Sequence, residues 1–202
     1  LADAVLARWC SHGRSESPST ETNPGRDGFV ARTLWPLLKA APDPVAMARV
    51  ATDLSRHWQG RKLALALEPG TFAAEHAWSL AGSPSADAAA LERGMAALEH
   101  LGDLQELLGR TAAQLETAKR QLSLAKRLAE RDPDHPAGAD ALATAHRRLA
   151  EALRAQGDLA SAQEALEEST LLLERCCEAH PDDPERWSRL GDGLTELGIT
   201  LQ

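Results

Sequence analysis

Asp132-Pro133-Asp134-His135-Pro136 returns 48 residues later as His180-Pro181-Asp182-Asp183-Pro184. The same step of 48 separates Gly109 from Gly157, and it joins Leu101-Gly102 to Leu149-Ala150 and to Leu197-Gly198. Leu98, His146 and Leu194 keep it too, as do Leu142 and Leu190. A period of this length is the mark of one supersecondary unit copied along the chain, each copy burying its apolar side against its neighbours. Chains built this way work mostly by presenting a surface, so binding is the first expectation.

Composition fixes the kind of unit. Of the 202 residues one is Ile, four are Val and none is Tyr, whereas Ala and Leu are abundant. Strand formers are scarce and helix formers plentiful, so the expected fold class is all-α. A formal net charge of −8 argues against a general nucleic-acid binder, which needs a basic face for phosphates. No apolar run reaches the roughly 18 residues of a membrane helix. Three cysteines, Cys10 and the adjacent Cys176 and Cys177, give an odd count without framework spacing. A reducing, cytoplasmic setting is the simplest expectation from that usage. The chain opens at Leu1, with no initiator Met and no basic leader, and is read as a piece of a longer or processed chain.

Outward from the two proline-rich junctions, apolar residues at three- and four-residue spacing predict helices over 86–107, 110–131, 137–155, 159–179 and 185–201. Residues 86–202 are therefore expected to hold two full units and the first helix of a third. Towards the N-terminus, residues 1–12 read as the end of an apolar helix, and 13–28, rich in Gly, Ser, Pro and Thr, as a flexible linker. Residues 29–85 read as a further helical region. It has a short helix from Phe29 to Ala41, bent or restarted at Pro36, and a helix from Val45 to Gln59 behind the cap Asp43-Pro44. Gly60 and Pro84 are 24 apart, like Gly109 and Pro133, so residues 43–84 are a candidate degenerate copy whose second helix breaks at Pro69-Gly70.

On these residues the chain resembles the tetratricopeptide repeat family, whose unit is a helix–turn–helix of about 34 residues closed by a proline. The Leu-Gly or Leu-Ala pairs match the place in the first helix where a small residue lets helices approach. Ala162 and Leu166 match the small and bulky places of the second helix, and Pro133 and Pro181 the closing proline. The unit here is longer, by about two helical turns in each helix, which lengthens the pair without rotating its apolar face. Long-helix forms such as kinesin light-chain-type repeats, with their DPDHP-like junctions, are similar. The resemblance implies an α-solenoid of stacked antiparallel helix hairpins, with Gly102, Ala150 and Gly198 at close helix contacts. It also implies a protein or peptide ligand in a concave groove lined by first-helix residues.

Carried onto this chain, that groove takes Glu99, His100, Asp103 and Glu106 from the first unit. It takes Thr144, Arg147, Arg148, Glu151 and Arg154 from the second, and Asp192, Thr195, Glu196 and Ile199 from the third. A basic middle between acidic ends would favour a partner with an acidic segment. The same charges also serve simply to solvate an exposed face. The lysines and asparagines with which some relatives clamp a terminal carboxylate are absent, so that ligand is not carried over.

Catalytic signatures are lacking: there is no P-loop, HExxH or nucleophile elbow. Gly191-Asp192-Gly193 lies inside a helical repeat with no strand before it, which suits close packing better than phosphate binding. Cys176 and His180, four apart, could form half a metal site, but the two cysteines fall where the preceding unit has Leu128 and Ala129. Cys10 and His12 lack a third partner. Trp9, Trp35, Trp58 and Trp78 lie in the N-terminal half, as core anchors or as the lining of a ligand groove.

The chain is accordingly expected to be a non-enzymatic protein-binding module without a cofactor or metal. The alternative is the regulatory or sensor region of a larger multidomain signalling ATPase or effector enzyme. Leu190, Leu194, Leu197 and Leu201 form one stripe on the last helix, so self-association through that helix is expected as well.

Overall fold

A computed structural model describes residues 35–36, 43–131 and 136–200. Among the described residues there are seven helices and no strand, so the chain is all-α: α1 Pro44–Gln59, α2 Leu63–Ala81, α3 Ala88–Leu107, α4 Thr111–Arg131, α5 Pro136–Ala155, α6 Leu159–Ala179 and α7 Pro184–Thr200. The last five begin and end within two residues of the helices predicted from apolar spacing. No helix among the described residues is long and apolar enough to cross a membrane. The expected helix end at 1–12, the linker at 13–28, residues 132–135 of the DPDHP junction, Leu201 and the thiol Cys10 lie outside the described residues; of the helix expected over Phe29–Ala41, only Trp35 and Pro36 lie within them, and both are helical. The chain divides into two compact units between His76 and Ala77.

In the N-terminal unit Asp43 caps α1, its Oδ1 accepting from the Val45 and Ala46 amides at 3.0 and 3.1 Å, with Pro44 in the first turn, where no amide donor is needed. One face of α1 is buried through Met47, Ala51, Leu54 and Trp58. Ser55, also buried, donates its hydroxyl to the Ala66 carbonyl of α2 at 2.8 Å. Trp35 meets Phe72 edge to face with centroids 5.6 Å apart, so both aromatics serve as packing anchors. The expected break at Pro69-Gly70 does not occur, because α2 runs unbroken through both. Pro69 is fully buried within it. The helix keeps a residue that removes a backbone donor, and burial of the ring favours keeping it there.

In the C-terminal unit each helix from α3 to α7 packs on the next one in sequence. The turns that allow this are a period apart. Gly109 and Gly157 adopt φ of 66° and 83°, a left-handed conformation that glycine enters without steric cost, and each reverses the chain within three residues. Asp87 and Asp158 then cap α3 and α6 through Ala90 and Ser161. The connection from α2 to α3 is fastened to α4 by two guanidinium groups. Arg127 donates to the Ala81 and Ser83 carbonyls at 2.5 and 2.8 Å, and Arg131 to that of Ala86 at 2.7 Å. Arg120 lies over Trp78, 5.6 Å from its ring centre.

The core follows the apolar stripes. Leu91, Leu98, Leu101 and Leu104 of α3 are buried, as are Ala118, Leu124, Ala125 and Leu128 of α4. Ala150, Ala162, Ala165 and Leu166 form one cluster between α5 and α6, joined by Leu149, Leu153 and Leu197. Ala143, Leu173, Cys177 and Leu190 form another, which links α5, α6 and α7. Cys176 and Cys177 are buried as free thiols, and burial pushes both above the ordinary cysteine value. They pack as small hydrophobes.

One packing expectation needs correction. Ala150 is buried, but a Cβ at Gly102 would make only ordinary contact, 3.9 Å from Thr117, and one at Gly198 would meet nothing. The close approaches lie elsewhere. A Cβ on Gly94 would fall 2.8 Å from Leu124 Cδ1 and 2.9 Å from Ala81 Cβ, and one on Gly138 would fall 2.9 Å from the Ala129 Cα. Neither position belongs to the repeating set. Because the obstacle at Gly138 is backbone, Gly138→Ala should lower stability by about 1–2 kcal/mol despite a helix-propensity gain of up to ~1 kcal/mol. Urea unfolding checks the sign; a stabilised variant would show that α4 and α5 are less close than this.

The leucine stripe of α7 is divided between α6 and solvent. Leu190 and Leu197 turn towards α6, and Gly193 sits against Thr170 and Leu173. Leu194 is at the far edge of that arc and is 49% exposed, alongside Trp187, equally exposed. Both stand beside Gly191 and Gly198, where an added Cβ would be in open space.

His146 holds the place that leucine takes at 98 and 194. It is half-buried and its Nδ1 has no hydrogen-bond partner. Burial holds its pKa below the ordinary histidine value, Glu168 opposing and Lys126 adding to that shift. The folded state thus binds the proton less readily than the unfolded one, so stability falls as pH drops through the ordinary histidine range. His146→Leu should stabilise the protein by about 1–2 kcal/mol at neutral pH, removing a buried unpaired nitrogen. It should also flatten the loss between pH 7 and pH 5, as read by thermal unfolding at the two values.

Candidate functional site

The inner edges of α5 and α7 do not close on each other. Between them lies a cleft of about 390 Å³, floored by Ser169 and Leu173 of α6 with Ala143 of α5. Its walls are Thr144 and Arg147 on α5 and Arg189, Asp192, Thr195 and Glu196 on α7. Five of the expected groove residues, Thr144, Arg147, Asp192, Thr195 and Glu196, therefore share one cavity. They do so because positions 144 and 192 are one period apart, as are 147 and 195, so the turns of α5 and α7 present them at equal height.

Four more expected residues, Arg148, Glu99, Asp103 and Glu151, form a second centre. Arg148 donates from Nη2 to Glu99 at 2.8 Å, and its Nη1 lies 3.1 Å from Asp103 and 3.2 Å from Glu151. Burial works against its charge, but the hydrogen bond to Glu99 and the charges of Glu151 and Asp103 more than compensate. Its pKa therefore lies above the ordinary arginine value. Burial raises the pKa of Asp103 despite Arg148 beside it, with Glu99 adding to the rise. The gap around this cage is only about 20 Å³, enough for a water and no larger ligand. Glu151 links the two centres, since it also accepts from Arg147 Nη1 at 2.5 Å. His100 is half-buried on α3, while Glu106 and Arg154 are exposed near the ends of α3 and α5.

Arg147 and Arg148 of the expected basic middle are thus engaged by carboxylates. Arg147 pairs with Glu151 and lies 3.6 Å from Glu196, and Arg148 meets three acids. Two residues that sequence reasoning passed over complete the wall. Arg189 donates to Asp140 and to Thr144 Oγ1, and Arg186 pairs with Asp140 at 3.1 Å and with Asp183 at 3.0 Å. Asp140 is therefore shared by two cations and fastens the start of α7 to the start of α5. The signal was a break in the repeat: 186 and 189 are arginines where 138 and 141 are Gly and Ala. Among the described residues no three His, Cys, Asp or Glu side chains gather as a metal-holding group.

No family model matches the chain, and no curated protein matches it. Among solved structures it is similar to a chain of the DHF119 filament, at 18% identity over 87% of this chain and 93% of that one, with a TM-score of 0.35. It is also similar to a chain described as "Computational Design of Self-Assembling Cyclic Protein Homooligomers", at 14% identity over 98% of this chain and 84% of that one, with a TM-score of 0.36. Likeness at this level carries no argument about arrangement or role.

Proposed function

We propose that this chain is a non-enzymatic binding module, a tetratricopeptide-like α-solenoid that takes a protein segment into the cleft between α5 and α7. The observation that carries this reading is the cleft itself. Its volume of about 390 Å³ falls in the range of roughly 300–1,000 Å³ typical of ligand sites, and it combines an apolar floor with polar walls. The succession of helix pairs, reversed at glycines one period apart, supports the solenoid arrangement. Buried free thiols support a reducing, cytoplasmic setting.

Panning a displayed library of random peptides against the protein tests the reading. Selected peptides should bind the wild type and lose binding to Thr195→Trp, which fills the cleft from an exposed position on α7. Peptides indifferent to that substitution would place binding elsewhere.

Self-association is a second proposal, supported by the exposed Trp187 and Leu194 on the outer edge of α7. Light scattering should report a concentration-dependent rise in mass that Leu194→Lys suppresses. A monomer at all concentrations would exclude it.

A further inference from the structure

We infer that the α5–α7 cleft selects a positively charged side chain, an arginine or lysine carried on an extended protein segment. This rests on the binding-module reading and adds the chemistry of the ligand.

The argument starts from what each polar group in the cleft has left to offer. Thr144 donates its hydroxyl to the Asp140 carbonyl at 2.9 Å, Thr195 to that of Gly191 at 2.8 Å, and Ser169 to that of Ala143 at 2.8 Å. A hydroxyl has one proton to give, so all three retain only acceptor capacity. The two guanidinium groups on the walls are engaged: Arg189 by Asp140 and Thr144, and Arg147 by Glu151. The carboxylates are less occupied. Asp192 has no ion pair among the described residues, and Glu196 stands 3.6 Å from Arg147, beyond hydrogen-bond reach.

Charge points the same way. Along the cleft and the two ion clusters beside it, four arginines meet seven carboxylates, an excess of three negative charges. An acidic ligand would meet two guanidinium groups whose charge is already shared with Glu151 and Asp140, and would face the carboxylates of Asp192 and Glu196. A cation meets no such opposition. Its aliphatic stem can enter the cleft towards Leu173 while its head reaches Asp192, Glu196 and the Thr195 oxygen. The stem requirement and the apolar floor favour a side chain over a small inorganic cation.

Fluorescence anisotropy with two labelled decapeptides tests this. Both share one Ala/Gln framework; one carries two arginines and its twin carries two glutamates in their place. The arginine peptide should bind at least tenfold more tightly than its twin. Asp192→Asn combined with Glu196→Gln should erase that difference while circular dichroism stays unchanged, and free arginine amide should compete only at far higher concentration than the unlabelled arginine peptide.

Equal binding of the twins, or an arginine peptide indifferent to the double substitution, overturns the inference. So does equal competition by free arginine amide, which would show that the segment contributes nothing. If peptides of any charge bind and Thr195→Trp blocks them, only the charge selection fails. If no peptide responds to Thr195→Trp, the cleft fails as the binding site and the charge selection fails with it.

Discussion

Leu98→Ala should lower the unfolding free energy by about 2–5 kcal/mol, whereas Leu194→Ala, at concentrations where the protein is a monomer, should change it by less than about 0.5 kcal/mol. The two leucines are two periods apart and occupy the same place in the unit, so sequence alone would rank them equal. Leu98 is 1% exposed in the α3–α4 core, and Leu194 is 49% exposed on the outer edge of α7. Truncating the first leaves a cavity among packed neighbours, and truncating the second removes contact mainly with solvent. Chemical denaturation of the two variants checks the contrast. A large loss at Leu194 that grows with protein concentration would mean that its face is covered in solution, as self-association would cover it.

Arg148→Met should cost about 2–3 kcal/mol at neutral pH, below the roughly 3–5 kcal/mol of a fully buried pair because the side chain keeps some access to water. The stem is replaced nearly in shape, so the loss is electrostatic. Glu99, Asp103 and Glu151 would face each other without the cation that joins them. Burial already holds the Asp103 carboxyl above its ordinary value, and losing Arg148, which opposes that rise, would raise it further in the folded variant. A folded-state pKa above the unfolded one makes the protonated form favour folding, so the deficit should shrink as pH falls towards 4. Thermal unfolding of variant and wild type between pH 7 and pH 4 reads both the size and the slope. A pH-independent deficit would assign Arg148 a packing role instead.

The helices were legible because their signals are local. Asp43 and Asp158 lie ahead of apolar runs, Gly109 and Gly157 supply the left-handed turns, and leucines recur at three and four residues. Periodicity also placed Thr144 and Arg147 of α5 opposite Asp192 and Thr195 of α7, since equal register on successive helices becomes equal height in space. What periodicity could not show was which charges are already paired. Arg148 and Glu99 are 49 residues apart, as are Arg189 and Asp140, and such pairings depend on rotamers rather than spacing. The close contacts at Gly94 and Gly138 escaped for a related reason. They depend on how α3 meets α2 and α4, and how α5 meets α4, which differ from one unit to the next. Pro69 misled because a break signal within one helix was outweighed by burial in the assembled unit.

The most direct test of the binding site is an amide chemical-shift titration of the ¹⁵N-labelled protein with the arginine decapeptide. The expected result is a set of saturable shifts centred on Thr144, Arg147, Asp192, Thr195 and Glu196, with Trp187 and the α1 residues unmoved. Shifts centred on Trp187 and Leu194, or spread over the N-terminal unit with the cleft residues silent, would contradict a ligand site between α5 and α7.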